Sequence, residues 1–164
     1  MRILVLALGN ELFGDDAAGL LVADELSRRI PKDLESVEIV KSHESGIRLL
    51  DHFLGDYDLI ILIDSVVSDR AGELVRIDPS SLGQAAAPSP HYYGIPEILS
   101  LLEELGERIP EVRIYCITIN EPRLGFPASE RIRVAAKKLA EVILSEIMQL
   151  LRIRRNTPAY DFKL

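Results

Sequence analysis

The chain has 164 residues, of which 48% are hydrophobic and 27% are charged, and this predicts one domain with a single substantial core. Its 19 Lys and Arg residues against 26 Asp and Glu residues give a net charge of −7. We therefore expect no nucleic-acid partner, because binding to a phosphate backbone needs clustered cations. The apolar runs are far shorter than the ~18 residues of a membrane-spanning helix, so we expect no membrane insertion.

The single cysteine, Cys116, lies in an aliphatic run that is typical of a buried strand. One cysteine forms neither an internal disulfide nor a multi-cysteine metal site. The first apolar stretch ends at Gly9 and Asn10 without the small-residue cleavage pattern of a secretory signal, and we interpret it as a strand. These features predict a cytoplasmic protein with Cys116 in its core.

Strands and helices alternate along most of the sequence. In chain order we predict strand 2–8, helix 17–29, strand 37–40, helix 47–54, strands 59–63 and 73–77, helix 95–105, strand 112–119 and a helix from 129 to about 152. The first and third strands are continuously apolar, which is typical of strands buried on both faces of a mostly parallel sheet. The predicted fold class is therefore α/β, a three-layer α/β/α sandwich around a five-stranded sheet.

One connection is too short for a helical crossover, since only residues 65–72 separate the third strand from the fourth. We predict that strand 73–77 is antiparallel and lies at an edge of the sheet. Residues 78–90 form the longest irregular loop, and residues 156–164 show no periodicity. The expected organisation is a single domain over residues 1–155, followed by a flexible tail over 156–164.

Three residues with reactive side chains adjoin the predicted strand ends, where open α/β sheets bind their ligands. Asp16 belongs to an acidic pair after the first strand, Asp64 ends the apolar run of the third, and His91 closes the long loop before a helix. We expect these three side chains to share one cleft at the carboxyl edge of the sheet. Two carboxylates and one imidazole form an open ligand set that suits a divalent cation such as nickel or zinc.

Each of these residues also has a simpler interpretation. Asp15 or Asp16 could cap helix 17–29 by accepting its free N–H groups, and His91 taken alone is as ordinary in a loop as in a metal site. Asp64 is harder to explain structurally, because a carboxylate is rarely buried without a partner.

Two further histidines are weaker candidates. His43 follows the second strand and is expected at most to line the cleft. His52 falls within the short predicted helix 47–54 and is expected to be exposed.

Five short segments spread over nearly the whole chain occur in an order and spacing that are found in one known family. They are Gly9-Asn10-Glu11-Leu12, Asp15-Asp16-Ala17-Ala18-Gly19, Ile63-Asp64-Ser65, Ser89-Pro90-His91 and Asn120-Glu121-Pro122. In these segments the chain resembles the hydrogenase maturation proteases. The resemblance implies an endopeptidase that removes the C-terminal extension of a nickel–iron hydrogenase large-subunit precursor after nickel insertion. It also implies that Asp16, Asp64 and His91 are the catalytic and metal-contacting residues, that nickel is supplied by the substrate, and that there is no organic cofactor.

The residues are compatible with metal-assisted peptide hydrolysis, because a divalent metal both polarises a carbonyl group and activates water. Whether the metal alone activates the water, or one carboxylate serves as general base, is open at this point. Two alternatives come from other functional classes. One is a receiver-like signalling module with an acidic magnesium pocket, and the other is a non-catalytic α/β protein that binds a small molecule.

Overall fold

The computed structural model describes residues 1–82 and 94–155, with side chains described through residue 152. The strands are β1 (Ile3–Leu8), β2 (Val37–Ser42), β3 (Leu59–Val67), β4 (Leu74–Ile77) and β5 (Glu111–Ile119), and the helices are α1 (Ala18–Arg29), α2 (Leu50–Phe53), α3 (Ile95–Glu104) and α4 (Glu130–Arg155). Short 3-10 segments cover Glu11–Ala17, Gly46–Leu49 and Pro79–Ser81.

The five strands form one sheet in the order β2-β1-β3-β5-β4. The pairs β1–β2, β1–β3 and β3–β5 are parallel, and the edge strand β4 is antiparallel to β5. The predicted fold class and the antiparallel edge strand are therefore confirmed. The antiparallel pairing follows from the short β3–β4 connection, which has no room for a crossover helix.

Helices cover both faces of the sheet and divide the core into two layers. Alternate residues of β1 and β3, among them Val5 and Ile61, pack with α1 and α4 on one face. The intervening residues, among them Leu6 and Leu62, pack with α2 and α3 on the other. Burying each such side chain stabilises the fold by ~1.5–3 kcal/mol, which explains why β1 and the first five residues of β3 are apolar at every position.

The chain changes direction across the sheet between β1 and β3. From β1 it passes through α1 to β2 on one side, and β3 and β5 then extend the sheet on the other side. In open α/β folds this switch point, at the carboxyl ends of the strands, is where ligands bind. The edge formed by β1 and β3 is therefore the place to look for a functional site.

Most element boundaries differ from those predicted by one to three residues, and two elements differ more. β3 does not end at Ile63 but continues to Val67, because it stays paired with β5 up to Ile119 after its pairing with β1 has ended at Ile63. The predicted helix 47–54 is a 3-10 turn followed by the single turn of α2.

Two sequence-based expectations concern residues outside those described. One is the predicted tail over residues 156–164. The other is the position of His91, which belongs to the segment 83–93. Among the helices that the structure describes, none is both long enough and apolar enough to cross a membrane.

Candidate active site

The connection after β1 folds back on the end of its own strand. Gly9 has φ +150°, and a Cβ atom at this position would lie 2.4 Å from the carbonyl oxygen of Asp16. The side chain of Asn10 accepts a hydrogen bond from the Leu12 N–H at 3.0 Å and starts the 3-10 segment. Asp16 is therefore returned to the carboxyl end of β1, a placement that depends on the missing side chain at Gly9.

Asp64 lies at the adjacent position on β3. The pairing of β1 with β3 ends at Ala7 and Ile63, so Asp64 is the first residue of β3 beyond it. Asp64 is fully buried, and its Oδ1 atom accepts a hydrogen bond from the Ser65 N–H at 2.7 Å. A buried carboxylate needs such donors.

Ser65 links the two candidate carboxylates. Its hydroxyl donates a hydrogen bond to Asp16 Oδ1 at 2.8 Å, while its backbone N–H donates to Asp64. The structure thus brings Asp16 and Asp64 to one edge through a shared neighbour. Reasoning from the sequence missed Ser65, although it directly follows Asp64, because a serine in a strand has no periodic signal that marks it as a contact of a residue 49 positions away.

The third predicted member, His91, lies outside the described residues, so its place beside the two carboxylates stays a prediction. The chain returns to the described structure at Gly94, where a Cβ atom would lie 3.0 Å from the backbone of Gly46 and Ile47. Gly46 and Ile47 belong to the 3-10 segment that follows the carboxyl end of β2.

His43 lies against the same edge of the sheet. Its Nδ1 atom is 2.8 Å from the Gly9 carbonyl oxygen. Because a carbonyl oxygen only accepts hydrogen bonds, Nδ1 carries the proton and donates it. His43 therefore contacts the turn that positions Asp16, which is consistent with the expectation that it lines the cleft.

His52 is less exposed than expected. Its side chain is 23% exposed, and its Nε2 atom lies 3.3 Å from Glu44 Oε2. The expectation of an exposed His52 is wrong because α2 packs this residue close to the chain that follows β2.

The alternative interpretation of the acidic pair, as caps of α1, is not supported by the described contacts. The residue before α1, Ala17, makes no capping hydrogen bond through its side chain. Asp15 instead accepts a hydrogen bond from the Ser129 N–H at 2.6 Å, just before α4, while Asp16 points to Ser65. The two adjacent acids therefore have different partners.

The described residues supply only part of a metal-binding set. Within residues 1–82 and 94–152, no group of three His, Cys, Asp or Glu side chains could hold a metal ion. Asp16 and Asp64 provide carboxylate oxygens, which suit divalent cations, and the nitrogen ligand in the predicted set is His91. Cys116 is fully buried in β5, as expected of a core residue.

Comparison with known proteins decides the family. The sequence model of the hydrogenase maturation protease family matches residues 20–146. The chain belongs to the hydrogenase maturation protease family. This match begins at residue 20, four residues after Asp16.

Individual relatives are similar to this chain over most of its length. The hydrogenase 2 maturation protease of Escherichia coli is 27% identical, over 93% of this chain and 92% of its own length. The protein FrxA of Pyrococcus furiosus is 29% identical, over 83% and 98% of the two chains. The solved structure of the hydrogenase maturation protease HybD of Thermococcus kodakarensis superposes with a TM-score of 0.70 at 30% identity, covering 89% of this chain and 99% of that one.

As a hydrogenase maturation protease, the chain is a peptide-bond hydrolase. The comparisons give no support to a receiver-like module or to a non-catalytic binding protein. The geometry adds a reason against the first alternative, since an acidic magnesium pocket would use both acids of the pair and Asp15 is directed to Ser129.

Proposed function

We propose that this endopeptidase removes the C-terminal extension of a nickel–iron hydrogenase large-subunit precursor after nickel has been inserted. Membership of the maturation protease family supports the substrate class. The observation that carries the proposal is the convergence of Asp16 and Asp64 on Ser65 at the β1–β3 edge. Two carboxylates at the switch point of the sheet can serve peptide hydrolysis.

In this proposal Asp16, Asp64 and His91 are both the catalytic residues and the contacts to the metal. Carboxylate oxygens and an imidazole nitrogen suit a borderline divalent cation. The set is open, so three protein ligands leave coordination positions that groups of the precursor can fill. The nickel therefore belongs to the substrate, and the three residues recognise a precursor that has received it.

The chemistry divides between the substrate and this chain. Nickel held at the precursor would supply Lewis acidity that polarises a carbonyl group. The chain's own carboxylates then have two tasks, which are to orient the substrate at the sheet edge and to take the proton from an attacking water. Ser65 orients both of them through their Oδ1 atoms.

The decisive experiment compares nickel-loaded with nickel-free precursor after treatment of the purified enzyme with a chelator. We expect only the loaded precursor to lose its C-terminal extension, as measured by intact mass. Equal cleavage of both would show that nickel recognition is wrong while leaving peptide hydrolysis in place. No cleavage of either precursor would contradict the proposed substrate.

Asp64→Asn is the matched variant for this experiment. The amide keeps an oxygen that accepts the Ser65 N–H, which the carboxylate accepts at 2.7 Å, so packing at this buried site is preserved. The negative charge needed for metal contact or proton transfer is lost. We expect processing to be abolished with little change in stability, and normal processing by this variant would remove Asp64 from the mechanism.

The remaining assignments are part of the same proposal. Residues 1–155 form the protease domain in this proposal, and the protein acts in the cytoplasm without an organic cofactor. The net charge of −7 supports a protein partner over a nucleic acid. Its partner is the large-subunit precursor.

A further inference from the structure

Ser65 donates one hydrogen bond to each of the two acids of the proposed site. Its N–H reaches Asp64 Oδ1 at 2.7 Å and its hydroxyl reaches Asp16 Oδ1 at 2.8 Å. Ser65 is itself only 5% exposed, so its hydroxyl has little access to water as an alternative partner. An ionised carboxylate only accepts, which makes the hydroxyl the donor in this contact.

The alternation of side chains along β3 explains why this position is special. Asp64 shares the face of Leu62, which packs with α2 and α3, whereas Ser65 shares the face of Ile63, which packs with α1 and α4. Asp16 lies two residues before the start of α1, the helix that packs on this second face. The residue that follows Asp64 therefore presents its side chain to Asp16 and its backbone to Asp64.

The side chain of Asp64 is more constrained than that of Asp16. Asp64 is fully buried within a paired strand, and its orientation is fixed by burial and by its backbone contact. Asp16 is partly buried and lies at the end of a 3-10 segment. The hydroxyl of Ser65 donates a hydrogen bond to its carboxylate. A charge-assisted hydrogen bond of this kind is short and directional, so it fixes the carboxylate plane.

We propose that Ser65 is a positioning residue that sets the orientation of the Asp16 carboxylate relative to Asp64. This inference rests on the proposed function, in which both acids act on the substrate. Contacts behind the groups that bind a metal commonly change affinity or activity 10- to 100-fold when removed. The backbone contact to Asp64 is donated by the Ser65 N–H, which substitution by alanine or threonine retains, so the two contacts can be separated experimentally.

The kinetic test uses Ser65→Ala, Ser65→Thr and a matched control. We expect Ser65→Ala to lower kcat on nickel-loaded precursor about 10- to 100-fold with KM changed less than about threefold. Ser65→Thr keeps the hydroxyl on a residue that strands accommodate well, so it should restore most of the activity. The control is Ser42→Ala, which removes a buried serine hydroxyl at the end of β2, a strand that does not pair with β3. In the wild type this hydroxyl accepts the Glu44 N–H at 3.0 Å. It should leave kcat unchanged.

A double-mutant cycle distinguishes action through Asp16 from a general effect. In an Asp16→Asn background, adding Ser65→Ala should change residual activity less than about twofold, because residues in contact are non-additive. A full additional loss in the double variant would overturn the proposal. A Ser65→Ala protein with wild-type kcat would also overturn the proposal. A Ser65→Ala protein that does not fold would overturn it too, because the hydroxyl would then be a requirement for folding.

A substrate-free measurement separates this proposal from the proposed function. The ¹³C chemical shift of the Asp16 carboxyl carbon reports its hydrogen bonding, and we expect it to change in Ser65→Ala and to stay unchanged in Ser42→Ala. An unchanged shift in both variants would contradict the positioning role. If the wild-type enzyme cleaves no precursor but this shift behaves as expected, only the proposed function fails.

Discussion

Asp15 and Ser129 join the start of α4 to the loop that carries Asp16. The two oxygens of Asp15 accept the Ser129 N–H at 2.6 Å and its hydroxyl at 3.2 Å. Nearby, the N–H of Gly125 donates to the Leu12 carbonyl at 2.8 Å. The loops that follow β1 and β5 are therefore tied together at the carboxyl edge of the sheet.

Asp15 should contribute to stability and Asp16 to catalysis. Asp15 accepts the N–H of Ser129, the residue that precedes α4, and places negative charge at the helix N-terminus. We expect Asp15→Ala to lower the free energy of unfolding by about 1 kcal/mol in a denaturant titration. In the folded protein, processing should fall far less than in Asp16→Ala. Equal losses of kcat in the two variants would show that this division of roles is wrong.

The sequence pattern predicted most of the fold because burial on both faces leaves a direct signal. The continuous aliphatic runs located β1 and most of β3, and the short connection after β3 predicted that β4 is antiparallel. The end of β3 was not predictable, because Asp64 and Ser65 interrupt the apolar run while their backbone stays paired with β5. A polar pair inside a strand resembles a strand end when only hydropathy is read.

The candidate site was predictable only as a set of acids near strand ends. The hydrogen-bond partners of these acids could not be predicted, because Asp15 and Ser129 are 114 residues apart and no local pattern connects them. The same holds for Asp16 and Ser65. Such contacts depend on how loops close over the edge of the sheet, which is a tertiary property.

Gly19 is required because α1 begins in direct contact with the strand ends. A Cβ atom at Gly19 would lie 2.3 Å from the Leu8 carbonyl oxygen and 2.7 Å from that of Ile63. Both atoms are backbone, so no side chain can move to relieve the overlap. We expect Gly19→Ala to lower stability by about 1–3 kcal/mol and to impair processing beyond that loss, because Asp64 follows Ile63.

Gly106→Ala is the control for this substitution. Gly106 has φ +70°, and a Cβ atom at this position would point into open space. Alanine there therefore causes conformational strain without a clash. It should lower stability by about 1 kcal/mol and leave processing unchanged. Similar effects of both variants on processing would contradict the argument from steric overlap.

The ionisation of Tyr115 should lower the free energy of unfolding at alkaline pH. Burial is the main cause that raises the pKa of Tyr115 from the ordinary tyrosine value of 10.0 to about 12. The hydrogen bond from its hydroxyl to Glu146 is the second cause. The folded protein therefore retains this proton where the unfolded chain releases it. The stabilisation is complete below pH 10 and is lost as the pH rises towards 12.

The measurement compares wild type with Tyr115→Phe. The unfolding free energy of the wild type should decline more steeply between about pH 10 and 12 than that of the variant, because only the wild type has this ionisation. Ultraviolet titration of the folded proteins should show one late-titrating phenol that is missing in the variant. Identical pH dependence of both proteins would show that Tyr115 does not carry this effect.

His43 should act on the site through its contact with Gly9, and two amide substitutions separate that contact from any chemistry of the ring. The amide nitrogen of Asn lies close to the position of Nδ1, which is 2.8 Å from the Gly9 carbonyl oxygen, whereas the amide of Gln lies near that of Nε2. His43→Asn should therefore keep the hydrogen bond and most of the processing activity. His43→Gln should lose the bond, lower stability by about 1 kcal/mol and impair processing, because Gly9 contacts the backbone of Asp16. A stable His43→Asn protein without activity would instead assign the essential role to Nε2, which the contact with Gly9 does not explain.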